Sequence, residues 1–415
     1  MAAKRQGMLP GRFCWLLGSE RTLKRKATDK KDMPSFLVLG CANFYGRALV
    51  HRLCQERDAA IAQGASPSDW VIRGVDKILP ALASFPANIL KLYDTFDFRM
   101  GNLRSTEFLE HAFARDSQWD YVFNFAPEFK FGQPQQVYEQ DVYQLSVTVA
   151  SLARKHNAGV LVHLSSAHVF KPKGGNVRHG EADELAAPNG LAECYIRAEN
   201  ELRKISGLPL VILRPSLCYG PGDRQNIVPM LIMAQISKVS REKMQVLWEK
   251  DLRVNTVHVS DVARAALQVA QWHKSNPTTV VFNLSDPGDT TNSRLAKCIG
   301  KLFNVDVSFQ NSAVNFIVKK LKTSELTEEV NESFLGPWMD LLAKHGVANS
   351  PLSPYLDQEH PYCRLEQFPL GVDGSRIAST PGLAFKYEHE AITPEGLGVT
   401  IDEFKSLNLW PKITN

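Results

Sequence analysis

The 415-residue chain lacks the long apolar runs and the paired cysteines that mark several classes of protein. No run of 18 apolar residues is present, so we expect no membrane span and no secretion. The seven cysteines are scattered without C-x-x-C spacing, which excludes a cysteine zinc or redox motif and favours free thiols. Histidines and acids show no metal-ligand spacing either, so we expect no metal site.

The body of the chain also lacks an excess of either charge. The net charge is +4, but residues 1–34 contain nine Lys and Arg against three Asp and Glu, which leaves the remaining residues at −2. A body without a basic face disfavours nucleic acid as a partner. The basic tail has two interpretations, a mitochondrial presequence and a solvated extension. We expect the solvated extension and a cytoplasmic location, with Met33 as an alternative start.

From residue 35 onward, short apolar runs alternate with segments of helical periodicity. Repeated strand–helix units predict an α/β fold, a doubly wound parallel Rossmann-like sheet with right-handed crossovers. Strands are predicted at 35–40, 70–75, around 96–98, and at 119–125, 159–164, 209–213, 253–259 and 280–284. Helices are predicted at 46–55, 106–113, 140–156, 192–205, 226–239 and 262–272.

Periodicity falls after residue 285, where proline, glycine and serine increase. The sequence therefore predicts a nucleotide-binding domain at 35–285 and a smaller C-terminal substrate domain at 286–415. We expect residues 216–252 to contribute to the substrate domain.

The first turn after the first strand reads G-C-A-N-F-Y-G, from Gly40 to Gly46. Glycine in a strand–turn–helix context permits a tight turn and close approach of a pyrophosphate to the helix N-terminus. Asn43 takes the middle position, and we expect it to tolerate a positive φ there. Asp76 ends the second strand, where an acid accepts from ribose hydroxyls and repels a 2′-phosphate. These residues predict NAD as the cofactor in preference to NADP.

Several further motifs follow in order: Gly101-Asn102-Leu103, LSSAHVF at 164–170, a segment around Tyr195, RPSLCYGPGD at 214–223, and VNTVHVSDVARA at 254–265. With the glycine turn, they make residues 35–404 resemble the extended short-chain dehydrogenase/reductase superfamily, in its NAD-dependent epimerase/dehydratase branch. The resemblance implies hydride transfer on a hydroxyl or carbonyl substrate, a nucleotide sugar or a sterol-like compound, and a homodimer.

The resemblance also implies catalytic residues. In the family a serine holds the reacting oxygen, a tyrosine phenolate takes the proton, and a lysine four residues after the tyrosine lowers its pKa. Ser166 and Tyr195 match the first two, but Glu199 stands in the lysine position, and none of the ten tyrosines has a lysine four residues later. A carboxylate beside Tyr195 raises the tyrosine pKa, which opposes its use as a base.

Cofactor-binding residues follow from the same resemblance: Gly40, Asn43, Phe44, Tyr45, Gly46, Asp76, Asn102, Leu103, Ala126, Tyr195 and Pro215.

Other positions depart from the family pattern. Asn102 and Asp141 replace the usual Asp and Asn, and Val254 takes the place of a diphosphate-binding arginine, with Arg253 one residue earlier. Arg224 is either a phosphate clamp or a loop residue. Three hypotheses stay open: an enzyme of modified mechanism, an inactive dinucleotide-binding regulatory or assembly subunit, and an unused scaffold.

Overall fold

A central sheet of seven parallel strands organises the chain. The structure is a computed structural model that describes residues 34–173, 177–309, 323–365 and 368–413; the expectations for the tail therefore lie outside it, apart from Pro34. The strands are β1 (Ser35–Leu39), β2 (Val71–Asp76), β3 (Asp97–Met100), β4 (Tyr121–Asn124), β5 (Leu161–Leu164), β6 (Leu210–Pro215) and β10 (Val280–Leu284). Their order in the sheet is β10–β6–β5–β4–β1–β2–β3, so the chain starts in the middle and winds outward twice, as predicted.

The two faces of the sheet are covered by different helices because side chains alternate along each strand. On β1, Phe36 and Val38 pack into one core, whereas Leu37 and Leu39 pack into the other. The first face is covered by α1 (Phe44–Ala62) and α8 (Val259–His273). The second is covered by α3 (Thr106–Phe113), α5 (Leu145–Lys155) and α6 (Gly190–Lys204).

The chain before α5 departs from the predicted single helix at 140–156. Helix α4 (Gln135–Tyr138) starts earlier and passes through a π-helical turn (Glu139–Gln144) into α5. The extra residue of a π turn is a feature that apolar spacing does not reveal. Helix α1 also continues seven residues beyond its predicted end at residue 55.

A second core lies among the remaining elements. The remaining helices are α2 (Ala87–Leu90), α7 (Val228–Ser240), α9 (Asn292–Phe303), α10 (Thr323–Lys344), α11 (Ser375–Ser379) and α12 (Pro394–Ser406). Of these, α7, α9, α10 and α12 pack together in the second core, where α7 meets residues after 286. The predicted domain boundaries, including the assignment of residues 216–252, stay predictions. The remaining strands form two parallel pairs, β7 (Leu217–Tyr219) with β9 (Thr256–His258) and β8 (Met244–Val246) with β11 (Val307–Phe309).

Three expectations about the chain as a whole can be compared with the described residues. All six cysteines among them are free thiols. The described helices include none that is long and apolar enough to cross a bilayer. Within the same ranges, histidines, cysteines and acids form no group of three that could hold a metal ion.

Candidate functional site

The turn between β1 and α1 requires both of its glycines. Gly40 has a φ of +78°, and a Cβ built on it would lie 2.6 Å from the Cα of Ala126. A Cβ on Gly46 would lie 1.9 Å from the carbonyl oxygen of Gly40. Only glycine allows backbone segments to approach this closely. The two residues therefore fulfil the packing role that the sequence predicts for them.

Asn43, between them, has an extended backbone. Its φ is −82° and its ψ is 178°, so the turn forms without a positive φ at this position. The residue is instead the N-cap of α1, because its Oδ1 accepts from the amide of Gly46 at 2.8 Å and its Nδ2 donates to the carbonyl of Phe125 at 2.6 Å. An extended N-cap with an amide side chain is an ordinary way to begin a helix. Asparagine therefore preserves this turn without a middle glycine.

The first residues of α1 supply free backbone donors. Phe44 and Tyr45 occupy the first two helical positions, and their amides have no acceptor among the described residues. A 19-residue helix has a partial positive charge at this end, which favours an anionic group. This chemistry fits the pyrophosphate of the expected dinucleotide.

Asp76 lies beside this turn at the end of β2. Its Oδ2 accepts from the amide of Ala42 at 2.8 Å, and its Oδ1 accepts from the amide of Ile78 at 3.0 Å. Burial raises the pKa of Asp76, and the backbone donors offset part of that shift. A carboxylate has about four acceptor sites, so it retains capacity for a ribose hydroxyl.

These elements border a cleft of about 460 Å³, which lies within the range of small-molecule sites. The cleft forms at the carboxyl ends of the central strands, where ligands of doubly wound sheets bind. It brings together six of the predicted cofactor residues: Gly40, Asn43, Asp76, Asn102, Leu103 and Ala126.

Asp141 also lines this cleft, rather than the cavity that holds the predicted catalytic residues. Arg104 pairs with it through two hydrogen bonds, Nε to Oδ1 and Nη2 to Oδ2, the second at 2.8 Å. The Nζ of Lys77 lies 3.7 Å from Oδ2. The two cations offset the negative charge of Asp141, so the cleft does not repel an anionic ligand. Neither Arg104 nor Lys77 was among the predicted site residues.

Four other predicted residues line a separate and much smaller cavity. Ser166, Tyr195, Tyr45 and Pro215 border a space of about 30 Å³ near the ends of β5 and β6. One water needs ~10–15 Å³, so this space holds about two waters. The remaining wall is largely apolar and includes Phe129, Phe131, Leu164 and Leu191.

Tyr195 is not poised as a base in this cavity. Its hydroxyl donates to the carbonyl oxygen of Glu128 at 2.9 Å, and its side chain is buried. Burial raises the pKa of Tyr195, and the nearby Glu128 and Tyr138 raise it further. These contacts disfavour the phenolate that a proton relay needs, and Glu199 is not among their causes.

Glu199 does not line the small cavity. Its carboxylate is fully buried and accepts two hydrogen bonds from Arg214, at 2.8 and 2.5 Å, and one from Ser165 at 2.6 Å. Burial raises the pKa of Glu199, but Arg214, Ser165 and Arg203 together outweigh burial and the net shift is downward. The carboxylate is a structural anion held beneath β6.

The positions that do face the cavity lie one helical turn earlier. Leu191, Tyr195 and Glu199 recur every four residues, so they share one face of α6. Only the first two line the cavity with Ser166. The pair with tyrosine–lysine spacing that meets the cavity is therefore Leu191 with Tyr195. Arg214 is the feature of the sequence that could have indicated the burial of Glu199, because a charged residue in a buried strand needs a buried partner.

Phe129 is the other residue that the sequence did not indicate. It follows β4 and lines the cleft, the small cavity and a third cavity of about 210 Å³. Arg224 lines this third cavity together with Phe44, and its Nη2 donates to the carbonyl of Ala83 at 2.7 Å. Arg224 is therefore close to the glycine turn, where a phosphate is expected.

The position expected for a diphosphate-binding arginine is apolar. Val254 is fully buried in the second core, and the neighbouring Arg253 forms an ion pair with Asp289 at 2.8 Å. Both residues therefore have structural roles, and neither lines the cleft or the small cavity.

Comparison with known proteins agrees with this geometry. A sequence model of the NAD dependent epimerase/dehydratase family matches residues 36–285. The sterol-4-alpha-carboxylate 3-dehydrogenase (decarboxylating) of Candida albicans is 32% identical over 195 residues. That alignment covers 44% of this chain and spans about half, 53%, of the curated relative.

Solved structures show the same fold at low sequence identity. The UDP-glucuronic acid 4-epimerase of Bacillus cereus has a TM-score of 0.60 and 15% identity, covering 90% of this chain and 99% of that one. The dTDP-glucose 4,6-dehydratase of Bacillus anthracis has a TM-score of 0.53 and 22% identity, covering 67% and 84% respectively. Both structures contain NAD.

Proposed function

The chain belongs to the NAD-dependent epimerase/dehydratase family, and from that premise we propose that it binds NAD without performing the hydride transfer of an active member. One observation carries the proposal: Leu191 and Tyr195 occupy the two cavity-facing positions of α6 that need a tyrosine and a lysine. The protein then acts through binding, as a regulatory or assembly subunit.

Binding is supported by the retained parts of the nucleotide site. The glycine turn, the free amides of Phe44 and Tyr45, and the buried Asp76 border a cleft of suitable size. When bound, NAD would supply a hydride acceptor. The residues of this chain would position its phosphates and ribose through backbone amides and a carboxylate.

Loss of chemistry is supported by the composition of the small cavity. Leucine has no ionisable group, so position 191 can neither take nor give a proton. The hydroxyl of Tyr195 is already donated to a backbone carbonyl, and burial opposes its ionisation. Ser166 alone can hold a substrate oxygen, but it cannot move a proton without a partner.

The second candidate is an enzyme of modified mechanism. It is favoured by Ser166 and Tyr195, whose hydroxyls both belong to residues lining the small cavity. The substrates named for the relatives define the compounds to test: UDP-glucuronic acid, dTDP-glucose and a sterol 4-carboxylate.

Calorimetric titration with NAD and NADP tests the binding half of the proposal. We expect NAD to bind and NADP to bind more weakly, because Asp76 repels a 2′-phosphate. Replacement of Asp76 by asparagine should reduce this preference. Absence of binding by either nucleotide would overturn the proposal.

Turnover tests the other half. We expect no reduction of bound NAD by the three compounds. Leu191→Tyr/Tyr195→Lys restores the two side chains of the relay and, combined with Phe129→Ala to enlarge the small cavity, should gain activity with a true substrate. The single Leu191→Tyr variant is the matched control, because it adds the phenol without the cation that lowers its pKa. Turnover by the unmodified chain would favour the second candidate instead.

A further inference from the structure

We infer that the site takes the adenosine 5′-diphosphate part of a dinucleotide and excludes its nicotinamide end. It should therefore bind NAD, ADP-ribose and ADP with similar affinity. This inference rests on the proposed dinucleotide binding and specifies its ligand class. A protein with this property responds to the total pool of adenosine diphosphate compounds rather than to NAD itself.

The first argument is the size of the two cavities. The residues expected to bind the adenine, the ribose and the pyrophosphate border about 460 Å³, whereas those expected at the nicotinamide border about 30 Å³. With the side chains as they lie in this structure, a space for about two waters does not hold an aromatic ring and a ribose. The difference separates the two halves of a dinucleotide.

The second argument is the residue that stands between them. Phe129 lines both the cleft and the small cavity, and its ring meets Tyr45 edge to face at 5.3 Å between centroids. Such an aromatic pair adds to the stability that burial gives. A nicotinamide entering the small cavity would have to displace this ring.

The third argument is that the segment carrying Phe129 is held in place. The amide of Glu128 donates to the carbonyl of Asp141 at 3.1 Å. The Oε1 of Glu128 accepts from the amides of Phe129 and Lys130, each at 3.0 Å. These bonds fix the backbone on both sides of the aromatic ring.

Tyr195 completes the anchor. Its hydroxyl donates to the carbonyl of Glu128 at 2.9 Å, and the hydroxyl of Tyr138 donates to the carbonyl of Lys130 at 3.1 Å. Two buried tyrosines thus hold the same short segment from below. Tyr195 lies at the cavity-facing position of α6 that would need the lysine. It is here a positioning residue for the Phe129 ring, which fills the nicotinamide end.

Competition between ligands tests the inference on the unmodified chain. NAD, ADP-ribose and ADP are titrated separately by calorimetry under identical conditions. ADP-ribose should bind within about threefold of NAD, because equal contacts give equal free energies of binding. An advantage of about tenfold or more for NAD would overturn this inference while leaving the proposed function intact. Failure of all three ligands would instead overturn the proposed function.

Variants test the role of the ring. Phe129→Ala should open the nicotinamide end and raise the affinity for NAD about tenfold relative to ADP-ribose, since new contacts then form with NAD alone. Tyr195→Phe, which removes only the anchoring hydroxyl, should change the ratio in the same direction by less. Phe98→Ala, on β3 and outside the three cavities, is the matched control and should leave the ratio unchanged. ADP-ribose binding reports folding of each variant, and an unchanged ratio in Phe129→Ala would contradict the inference.

Discussion

At the scale of single residues, Glu199 shows why spacing does not define a role. It lies four residues after Tyr195, as a catalytic lysine would, but its carboxylate is fully buried against Arg214. Two charges out of water require each other, because a buried charge without a partner is very costly. This ion pair therefore fixes the position of α6 along its axis. The preceding turn of the helix, with Leu191 and Tyr195, then faces the small cavity.

Replacing Glu199 by lysine should unfold the protein rather than activate it. The change places an ammonium beside Arg214 in a buried site, and loss of a buried pair alone costs ~3–5 kcal/mol. We expect the free energy of unfolding, measured by urea denaturation, to fall by at least that amount, with no gain of turnover.

Glu201→Lys on the same helix is the control for that variant. Glu201 is half-buried and pairs with Lys204 at the surface, where an ion pair is worth ~0–1 kcal/mol. The control should remain almost as stable as the unmodified chain. A stable Glu199→Lys protein with new activity would show that position 199 faces the cofactor after all.

At the scale of elements, the first turn of α1 combines helix capping with ligand binding. Asn43 uses its side chain to cap the helix and to bind the carbonyl of Phe125. The same side chain occupies the amide of Gly46, which is one of the donors that an anion could use. Stability and phosphate binding therefore compete for this donor.

Asn43→Gly should separate the two effects. Loss of the bond to Phe125 should lower the free energy of unfolding by ~0.5–1.5 kcal/mol. The freed amide of Gly46 should raise the affinity for ADP-ribose, measured by calorimetry. Weaker nucleotide binding by a folded Asn43→Gly protein would contradict this.

Thr393→Gly is its matched control. Thr393 caps α12, where its hydroxyl accepts from the amide of Gly396, and it lines none of the three cavities. This variant should lose stability without any change in nucleotide affinity.

At the scale of the whole molecule, several buried histidines link stability to pH. Burial lowers the pKa of His163, His258 and His360 to about 4, and that of His168 to about 3. The unfolded chain binds protons at these histidines near pH 6.5, whereas the folded chain does not. Their contribution to stability is therefore present above pH 6.5 and is lost as the pH falls toward 4.

Two buried carboxylates act in the opposite direction. Burial raises the pKa of Asp223 to about 6 and that of Asp286 to about 7. Each of these six groups changes the free energy of unfolding by at most ~1.4 kcal/mol per pH unit, so four histidines outweigh two acids.

We therefore expect stability to fall by up to ~3 kcal/mol per pH unit between pH 6 and 5, as measured by urea denaturation at a series of pH values. His163→Asn, which removes one of the buried histidines, should reduce this slope by up to ~1.4 kcal/mol per unit. A slope equal to that of the unmodified chain would contradict the assignment of His163.

Part of this protein was determined by the sequence alone. Alternating apolar strands and amphipathic helices predicted the doubly wound sheet, because these patterns reflect local geometry and burial. The two glycines and Asp76 were found because a left-handed turn and a strand end have specific residue requirements.

Other features were decided only by the tertiary structure. The π turn before α5 lengthens the helix, and Arg214 on a neighbouring strand binds Glu199 and so sets which residues of α6 reach the cavity. Two tyrosines hold the backbone on either side of Phe129, which lines the cleft and the small cavity. Each depends on contacts between residues distant in the chain. Spacing in the sequence shows which residues share one side of a helix or strand. Which of those residues reach a cavity, and how much volume is left there for a ligand, are fixed only when the elements pack.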